Sequence, residues 1–215
     1  MGIITKTARG LGLVALLVFP ALLIQSASNS AFVAEFAIIA QRNLVSYVPS
    51  LVLLKASSIV YPPLPGVVLT LASVPLIGWE LAYAIDIVGS GLGASIAYFL
   101  GKKYGYAILE KVVKQPLTEK IRRTQLKRTN QVEAAIVLRF ATGGLLSDGL
   151  AWGASLIGFR YKSFIVGYLI SHIITTLPIF YLVGVSMSFD SWIAVAAVAI
   201  TAWLVMYKFK GRYFE

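Results

Sequence analysis

The chain has 215 residues, of which 58% are hydrophobic and 13% charged. This composition is typical of an integral membrane protein, and the length leaves room for one compact membrane domain without a separate soluble enzyme domain. The formal net charge of +10 would suit nucleic-acid binding, but the basic residues cluster in one loop and at the termini, as in cytoplasmic segments of membrane proteins. The absence of cysteine excludes disulfides and thiolate metal sites.

The first predicted element is a membrane helix within residues 1–28. Its apolar run, 11–24, follows two basic residues, a pattern that a cleaved signal peptide shares. The residues before Ala27 form a poor cleavage context, so we favour an uncleaved helix. The mixed stretch 29–55 that follows combines charged residues with spaced apolar ones, and this predicts an amphipathic helix at the membrane interface.

Two breaks interrupt the apolar sequence, one in each half of the chain. The first is the proline-rich run 61–66, and the second is the glycine-rich run 141–149. Lipid cannot hydrogen-bond the backbone groups that a break frees, so such segments lie within protein or line a wet cavity. Paired breaks are typical of transporters whose site lies where two repeats meet. We expect re-entrant hairpins at about 56–77 and 132–157, one entering from each side of the membrane.

The rest of the chain alternates predicted spans with basic segments. A span at 79–100 leads into a polar loop, 102–130, that carries nine Lys or Arg residues against two Glu. We expect this loop to be cytoplasmic and to touch anionic lipid headgroups. Another span is predicted at 163–185, and a C-terminal membrane helix at 192–207 begins a final region, 188–215, that ends in a basic tail. Both termini are then expected on the cytoplasmic side of the plasma membrane.

Two pairs of segments carry a family pattern. In the first half, the hairpin sequence at 63–66 precedes a helix at 89–105 that reads G-x-x-x-A-Y-x-x-G-K-x-x-G from Gly93. In the second half, Leu-Arg-Phe at 138–140 precedes a glycine-rich stretch and the segment 158–164. These features resemble the VTT domain of the DedA superfamily. We assign residues 56–187 to a domain of this kind.

The chain also departs from the family pattern. Many bacterial members carry a glutamate directly after the hairpin Pro-Gly, where this chain has Val67. They also carry an aspartate near Ala94 and a second arginine near Leu145, and Thr142 stands where a hairpin proline is expected. The chain therefore resembles a divergent branch that lacks the hairpin glutamate. Proton coupling through that glutamate cannot be carried over to it.

The breaks and the resemblance together predict an all-α integral membrane protein, an inverted-repeat bundle with two opposed re-entrant hairpins. The resemblance implies lipid transport: polyprenyl-phosphate recycling in prokaryotic members and phospholipid scrambling in eukaryotic relatives. We expect a flippase or scramblase for a phosphate-headed lipid, and no enzyme, because the sequence holds no Ser-His-Asp set, H-E-x-x-H or Walker pattern. Two other classes remain open: a non-transporting membrane scaffold or assembly factor, and a small-ion or solute transporter. We expect no cofactor, metal or nucleic acid, and leave homo-oligomer formation open.

Charged residues within the spans are the leading site candidates, since each costs at least about 2.5 kcal/mol at the bilayer centre. Arg139 matches the family's hairpin arginine, and its planar guanidinium suits a lipid phosphate. A structural ion pair with Asp148 or Glu133 is the alternative. Asp148 is predicted to pair with Arg139 or to titrate during transport, with a hairpin cap as the alternative. Asp86 lies mid-helix and is assigned to transport or to packing.

Three glycines and two titratable residues complete the predicted site. Gly66, Gly143 and Gly144 are expected to let backbone amides approach the phosphate. Glu80 and His172 are candidates for a proton relay. The alternatives are a solvated position near the membrane interface for Glu80 and a hydrogen bond to another helix for His172.

Overall fold

A computed structural model describes residues 38–61, 66–112, 115–124, 126, 130–141, 147–185 and 213. The regular structure in these parts of the chain is helical, without strands. The predicted N-terminal membrane helix and the predicted helix at 192–207 lie outside the described residues. So do residues 29–37 of the predicted interfacial segment.

The helices of the described part fall into two halves with the same order of elements. Each half contains a helical hairpin followed by a long helix. The first half comprises α1 (Leu44–Val60), α2 (Gly66–Ala72), α3 (Val74–Ile77) and the long helix α4 (Trp79–Val112). The second half comprises the short helix α5 (Gln115–Arg122), the hairpin helices α6 (Gln131–Ala141) and α7 (Ser147–Ile157), and the long helix α8 (Tyr161–Gly184).

In the first hairpin, α1 is one arm and α2 with α3 is the other. α1 ends at Val60, just before the proline-rich run, because proline lacks the backbone donor that a helix needs. The arms lie side by side: Gly66 packs against Ser58 with no room for a side chain. At the open end, Gln41 Nε2 donates a hydrogen bond to the Leu76 carbonyl at 3.2 Å. The two ends of the hairpin therefore lie next to each other.

The structure corrects the predicted boundary at the start of this hairpin. α1 runs without interruption through residue 55, where the sequence analysis ends an interfacial segment and begins the hairpin at 56. Lys55 is only 1% exposed. Its charge favoured the interfacial interpretation, but local sequence does not reveal the carboxylate on α4 that pairs with it.

The second hairpin consists of α6 and α7 and occupies nearly the predicted range, 132–157. Its open end is closed in a similar way, because the side-chain oxygen of Gln131 accepts a hydrogen bond from the Arg160 backbone N–H at 2.9 Å. α7 also reaches the first hairpin: the Trp152 indole N–H donates to the Val60 carbonyl at 3.2 Å. The tip of one hairpin therefore rests against an arm of the other.

A glycine in the left-handed backbone region precedes each long helix. Gly78 has φ 83° and Gly158 has φ 106°, values that L side chains rarely adopt. Each glycine lets the chain turn from the end of a hairpin into the helix that follows. Among the described residues, Trp79–Ala107 and Tyr161–Gly184 are long and apolar enough to cross a membrane.

In the first half, small residues bring the long helix close to the hairpin. A Cβ atom on Gly89 would lie 3.0 Å from the Val52 carbonyl oxygen, and one on Gly93 would lie 2.6 Å from that of Ala56. α4 thus packs on α1 almost backbone to backbone, as small residues allow in membrane helices. Because the two contacts advance by four residues along both helices, α1 and α4 run in the same direction.

The second half repeats this arrangement. A Cβ atom on Gly167 would lie 2.6 Å from the Val132 carbonyl oxygen, so α8 packs closely on α6. Further along both helices, Arg139 meets His172. The order of these contacts shows that α6 and α8 also run in the same direction.

The two long helices run antiparallel to each other. Trp79, at the start of α4, packs against Gly184 at the end of α8. Midway along α4, the Ser95 hydroxyl lies 3.0 Å from that of Tyr161 at the start of α8. The first half of α4 consequently faces α8, and the charged site lies between these two contacts.

The basic segment 102–130, predicted as a polar cytoplasmic loop, is largely helical where it is described. α4 continues past its predicted end, with a break in helical geometry at Gly105 (φ 63°, ψ −149°). α5 follows and buries Ile121 against Gly153 in α7. The density of charge favoured a loop, but the apolar positions of α5 have a partner surface on the second hairpin.

Candidate functional site

Four ionisable side chains from four helices meet in the interior. Lys55 comes from α1, Asp86 from α4, Arg139 from α6 and His172 from α8, and all are between 0% and 6% exposed. Thr70 from α2 completes the group and is also fully buried. We call these five residues the buried polar cluster. Each half contributes a cation from the first arm of its hairpin and a second ionisable residue from its long helix.

Asp86 is the central acceptor of the buried polar cluster. Its Oδ1 atom lies 2.9 Å from Lys55 Nζ and 2.9 Å from Thr70 Oγ1. Its Oδ2 atom lies 2.6 Å from His172 Nε2. Because an ionised carboxylate only accepts hydrogen bonds, all three neighbours donate to Asp86.

His172 connects Asp86 to Arg139. Arg139 Nη2 lies 2.6 Å from His172 Nδ1, and a guanidinium only donates hydrogen bonds. Nδ1 must therefore accept, and Nε2 must carry the proton that it donates to Asp86. The contacts define a neutral imidazole in this arrangement. Hydrogen bonds thus run in one direction, from Arg139 through His172 to Asp86.

Aromatic rings support Arg139 from one side. Its guanidinium carbon lies 4.4 Å from the ring centroid of Tyr168. That ring is nearly parallel to the His172 imidazole, with 6.0 Å between centroids. A cation–π contact of this kind stabilises a desolvated cation by about 2 kcal/mol. The position of the guanidinium is thereby determined by two residues one turn apart on α8.

Two glycines make room for the Lys55 side chain. A Cβ atom on Gly89 would lie 2.7 Å from Lys55 Cβ and Cγ, and one on Gly66 would lie 3.3 Å from Lys55 Cδ. The aliphatic stem therefore passes between α2 and α4 until the amine reaches Asp86. A larger residue at either glycine would push this side chain away from its partner.

The family model for the VTT domain matches residues 64–185, which is more than half of the chain. The chain belongs to the VTT domain family. No curated protein and no solved structure matches it. The match confirms the predicted DedA relationship, and with the two long apolar helices it indicates a membrane protein of the transporter type.

The VTT match covers Thr70, Asp86, Arg139 and His172, but it begins after Lys55. The first arm of the first hairpin therefore lies outside the matched residues. One cation of the buried polar cluster comes from that arm.

The structure brings three predicted site residues of this VTT domain together. Asp86, Arg139 and His172 are in direct contact, although the sequence analysis treats them as separate candidates. His172 makes the hydrogen bonds to other helices that were its alternative interpretation, while its relay role stays a prediction. Glu80 is exposed in the first turn of α4 and stands apart from these residues. Its relay role also stays a prediction.

Other predicted residues lie elsewhere. Glu133 is exposed near the start of α6, where it accepts hydrogen bonds from Asn130 and from the Tyr213 hydroxyl. Gly66 begins α2 and has a packing role beside Lys55. Its predicted role as an amide donor stays a prediction.

Three further predicted residues fall at the second break of the VTT domain. Asp148 belongs to the first turn of α7, whereas Gly143 and Gly144 lie outside the described residues. The pairing or titration of Asp148 and the phosphate contacts of the two glycines all stay predictions.

The sequence analysis missed Lys55 and Thr70. Lys55 did carry a signal, since it is a single lysine within the apolar stretch 51–60, directly before the first break. A charge in such a stretch is costly unless it has a partner. Thr70 carried no such signal, because threonine is common in membrane helices and its hydroxyl can bond to its own backbone.

The chemistry of the buried polar cluster suits an anion. Ammonium and guanidinium groups form the strongest hydrogen bonds that proteins offer to phosphate oxygens. The imidazole of His172 connects Arg139 to Asp86. Ionisable residues within membrane proteins are rare, and they are candidates for functional sites by default.

Proposed function

We propose that this protein moves a phosphate-headed lipid, polyprenyl phosphate or a phospholipid, between the leaflets of its membrane, as a flippase or scramblase. The observation that carries the proposal is the buried polar cluster, in which each hairpin contributes one cation. Such cations are costly at membrane depth. A lipid phosphate is an anion that the bilayer itself supplies, and it would make use of both of them.

The directions of the helices support two opposed re-entrant hairpins. α1 runs with α4, and α6 runs with α8, whereas α4 and α8 run antiparallel. The first arms of the two hairpins therefore point in opposite directions. In the proposed arrangement one hairpin enters from each side of the membrane and the two meet at the buried polar cluster, as in inverted-repeat transporters.

Arg139 is the proposed phosphate ligand. Its guanidinium offers two parallel N–H donors that match two phosphate oxygens, and Tyr168 holds its plane in position. The headgroup passes between the hairpins while the acyl or polyprenyl tails stay in lipid. Asp148, Gly143 and Gly144 are proposed to complete the path at the second break. The basic segment 102–130 is proposed to contact anionic headgroups on the cytoplasmic side.

Leaflet exchange in proteoliposomes tests this function. Purified protein is reconstituted with a fluorescent phospholipid or a short-chain polyprenyl phosphate, first without a gradient and then with a proton or sodium gradient. Movement of both lipids without a gradient identifies a scramblase, and movement of polyprenyl phosphate alone identifies a selective flippase. If neither lipid moves under any of these conditions, the proposal is wrong and a scaffold or solute transporter takes its place.

Substitution of Arg139 tests the proposed ligand. We expect Arg139→Gln to lower the initial exchange rate at least about tenfold, because a charged hydrogen bond to phosphate is lost. Arg139→Lys keeps the charge without the two-pronged geometry and should retain part of the activity. Arg160→Gln, which removes an exposed arginine just before α8, is the matched control. Normal exchange by a well-folded Arg139→Gln protein would rule out this role.

A further inference from the structure

We infer that Lys55 is a second phosphate-binding residue on the transport path, and that Asp86 is the internal anion with which the substrate phosphate competes for it. This inference rests on the proposed function, since it takes a phosphate-headed lipid as the substrate. Lys55 lies outside the residues that match the VTT family. The contacts of Lys55 within this chain support the role.

Lys55 and Arg139 occupy equivalent places in the two halves. Lys55 lies on the first arm of its hairpin and meets Asp86 on the long helix, 31 residues later in the chain. Arg139 lies on the first arm of the other hairpin and meets His172 on its long helix, 33 residues later. Lys55 thus occupies in the first half the place that the proposed phosphate ligand occupies in the second.

Lys55 and Arg139 differ in the residue that each of them faces. His172 presents a neutral nitrogen to Arg139, whereas Asp86 presents a carboxylate to Lys55. Carboxylate and phosphate oxygens are interchangeable partners for an ammonium group. A phosphate that binds Lys55 must therefore displace Asp86, and when the phosphate leaves, Asp86 restores the neutral pair.

Two other residues connect the two cations. Lys55 contacts Asp86, Asp86 contacts His172, and His172 contacts Arg139. While Asp86 and His172 stay there, one phosphate group can contact only one cation at a time. The two cations therefore form two successive stations, and the headgroup passes from one hairpin to the other.

The surroundings of Lys55 suit such an exchange. Its flexible stem carries a compact charge with rotatable donors and lies in the groove between Gly66 and Gly89. The seven-residue helix α2 covers that groove through Gly66 and holds Asp86 through Thr70. Lys55 and Asp86 are both buried, so phosphate reaches the lysine when α2 moves away from α4.

Phosphate binding by Asp86→Asn protein tests the competition. Purified protein in detergent is titrated with inorganic phosphate or with short-chain polyprenyl phosphate, and binding is followed by calorimetry. We expect Asp86→Asn to bind polyprenyl phosphate at least about tenfold more tightly than wild type, because the competing carboxylate is gone. The same variant should exchange lipid more slowly, because nothing displaces the phosphate from Lys55.

Two Lys55 variants show whether the gain depends on the lysine. Lys55→Gln should weaken binding of the same probe, and Lys55→Gln combined with Asp86→Asn should bind as weakly as Lys55→Gln alone. Lys162→Gln removes an exposed lysine from α8 and should leave binding unchanged. Unaltered affinity in folded Lys55→Gln protein would overturn the inference.

Thr70→Val provides a second route if Asp86→Asn protein does not fold. It removes a donor to Asp86 and keeps every charge, so binding should tighten by about two- to threefold. Tightening with both probes identifies phosphate itself as the ligand, and tightening with the lipid alone identifies the lipid headgroup. Either outcome supports the competition, whereas unchanged or weaker binding by folded Thr70→Val and Asp86→Asn proteins gives Asp86 a structural role only.

The outcome for wild type separates the two proposals. If wild-type protein moves lipid but the Asp86 and Thr70 variants show no gain in affinity, the competition is wrong and the proposed function stands. If wild-type protein neither binds the probes nor moves lipid, the proposed function fails, and the inference fails with it.

Discussion

The two halves of the membrane domain have the same layout. Each begins with a hairpin whose open end is closed by a glutamine side chain, Gln41 in the first half and Gln131 in the second. Each continues through a left-handed glycine, Gly78 or Gly158, into a long helix that packs on the first arm of its own hairpin. Turns and small residues thus account for the shape that the halves share.

The chemistry at the centre of each half is different. Lys55 faces the carboxylate of Asp86, whereas Arg139 faces the neutral imidazole of His172. The layout therefore does not require identical side chains, because it depends on where helices break and how closely they approach. The two halves can therefore share a layout without sharing the residues at their centres.

The largest expected effect comes from removing the buried carboxylate of the first half. Asp86→Ala leaves the Lys55 ammonium buried without its carboxylate, which should lower the free energy of unfolding by about 3–5 kcal/mol. His172→Ala removes a neutral hydrogen-bonding group, and the expected loss is about 1–3 kcal/mol. Thermal unfolding in detergent, followed by size-exclusion chromatography, compares the two variants.

A double variant shows whether the unpaired charge causes the larger loss. Lys55→Met combined with Asp86→Leu removes both ions and should regain much of the stability that Asp86→Ala loses, since apolar replacements of a buried pair are often tolerated. A double variant as unstable as Asp86→Ala would mean that packing, and not charge, distinguishes the halves.

An intermediate effect tests the shared packing. Gly93→Val and Gly167→Val each place a side chain against a carbonyl oxygen 2.6 Å from the new Cβ position. We expect both to cost about 1–3 kcal/mol by overpacking, with similar falls in melting temperature. Ala84→Val, at an exposed position on α4, is the matched control. A loss confined to one half would show that the two interfaces are not equivalent.

The smallest effect concerns the glutamines that close the hairpins. Gln41→Leu and Gln131→Leu each remove one exposed hydrogen bond, so each should cost less than about 1 kcal/mol. The change should be visible locally: Gln131→Leu leaves the Arg160 amide without its acceptor and should speed its hydrogen exchange. Unchanged exchange at Arg160 would show that the glutamine does not hold the hairpin closed.

The helical class, the family and the positions of the two breaks could be predicted because local residues encode them. Prolines and glycines stand at the breaks themselves, and Asp86, Arg139 and His172 are conspicuous in apolar segments. Contacts between residues far apart in the chain could not be predicted from local sequence. Lys55 looked interfacial because its partner lies 31 residues further along the chain, and only the packing of α4 on α1 brings the two together.

The basic segment shows a second limit of prediction from sequence. Its charges favoured a loop, yet α5 is a helix that buries Ile121 against Gly153. The surface that Ile121 meets belongs to the second hairpin, so its apolar positions have meaning only in the folded chain. Charge density alone does not distinguish a polar loop from a helix with one buried face.

The imidazole of His172 has a mechanical consequence. Its Nδ1 atom meets Arg139 within its own half, and its Nε2 atom meets Asp86 across the boundary between the halves. Rotation of the ring about the Cβ–Cγ bond carries both nitrogens away from their partners at the same time. The torsion angle about that bond therefore determines whether His172 links Arg139 to Asp86.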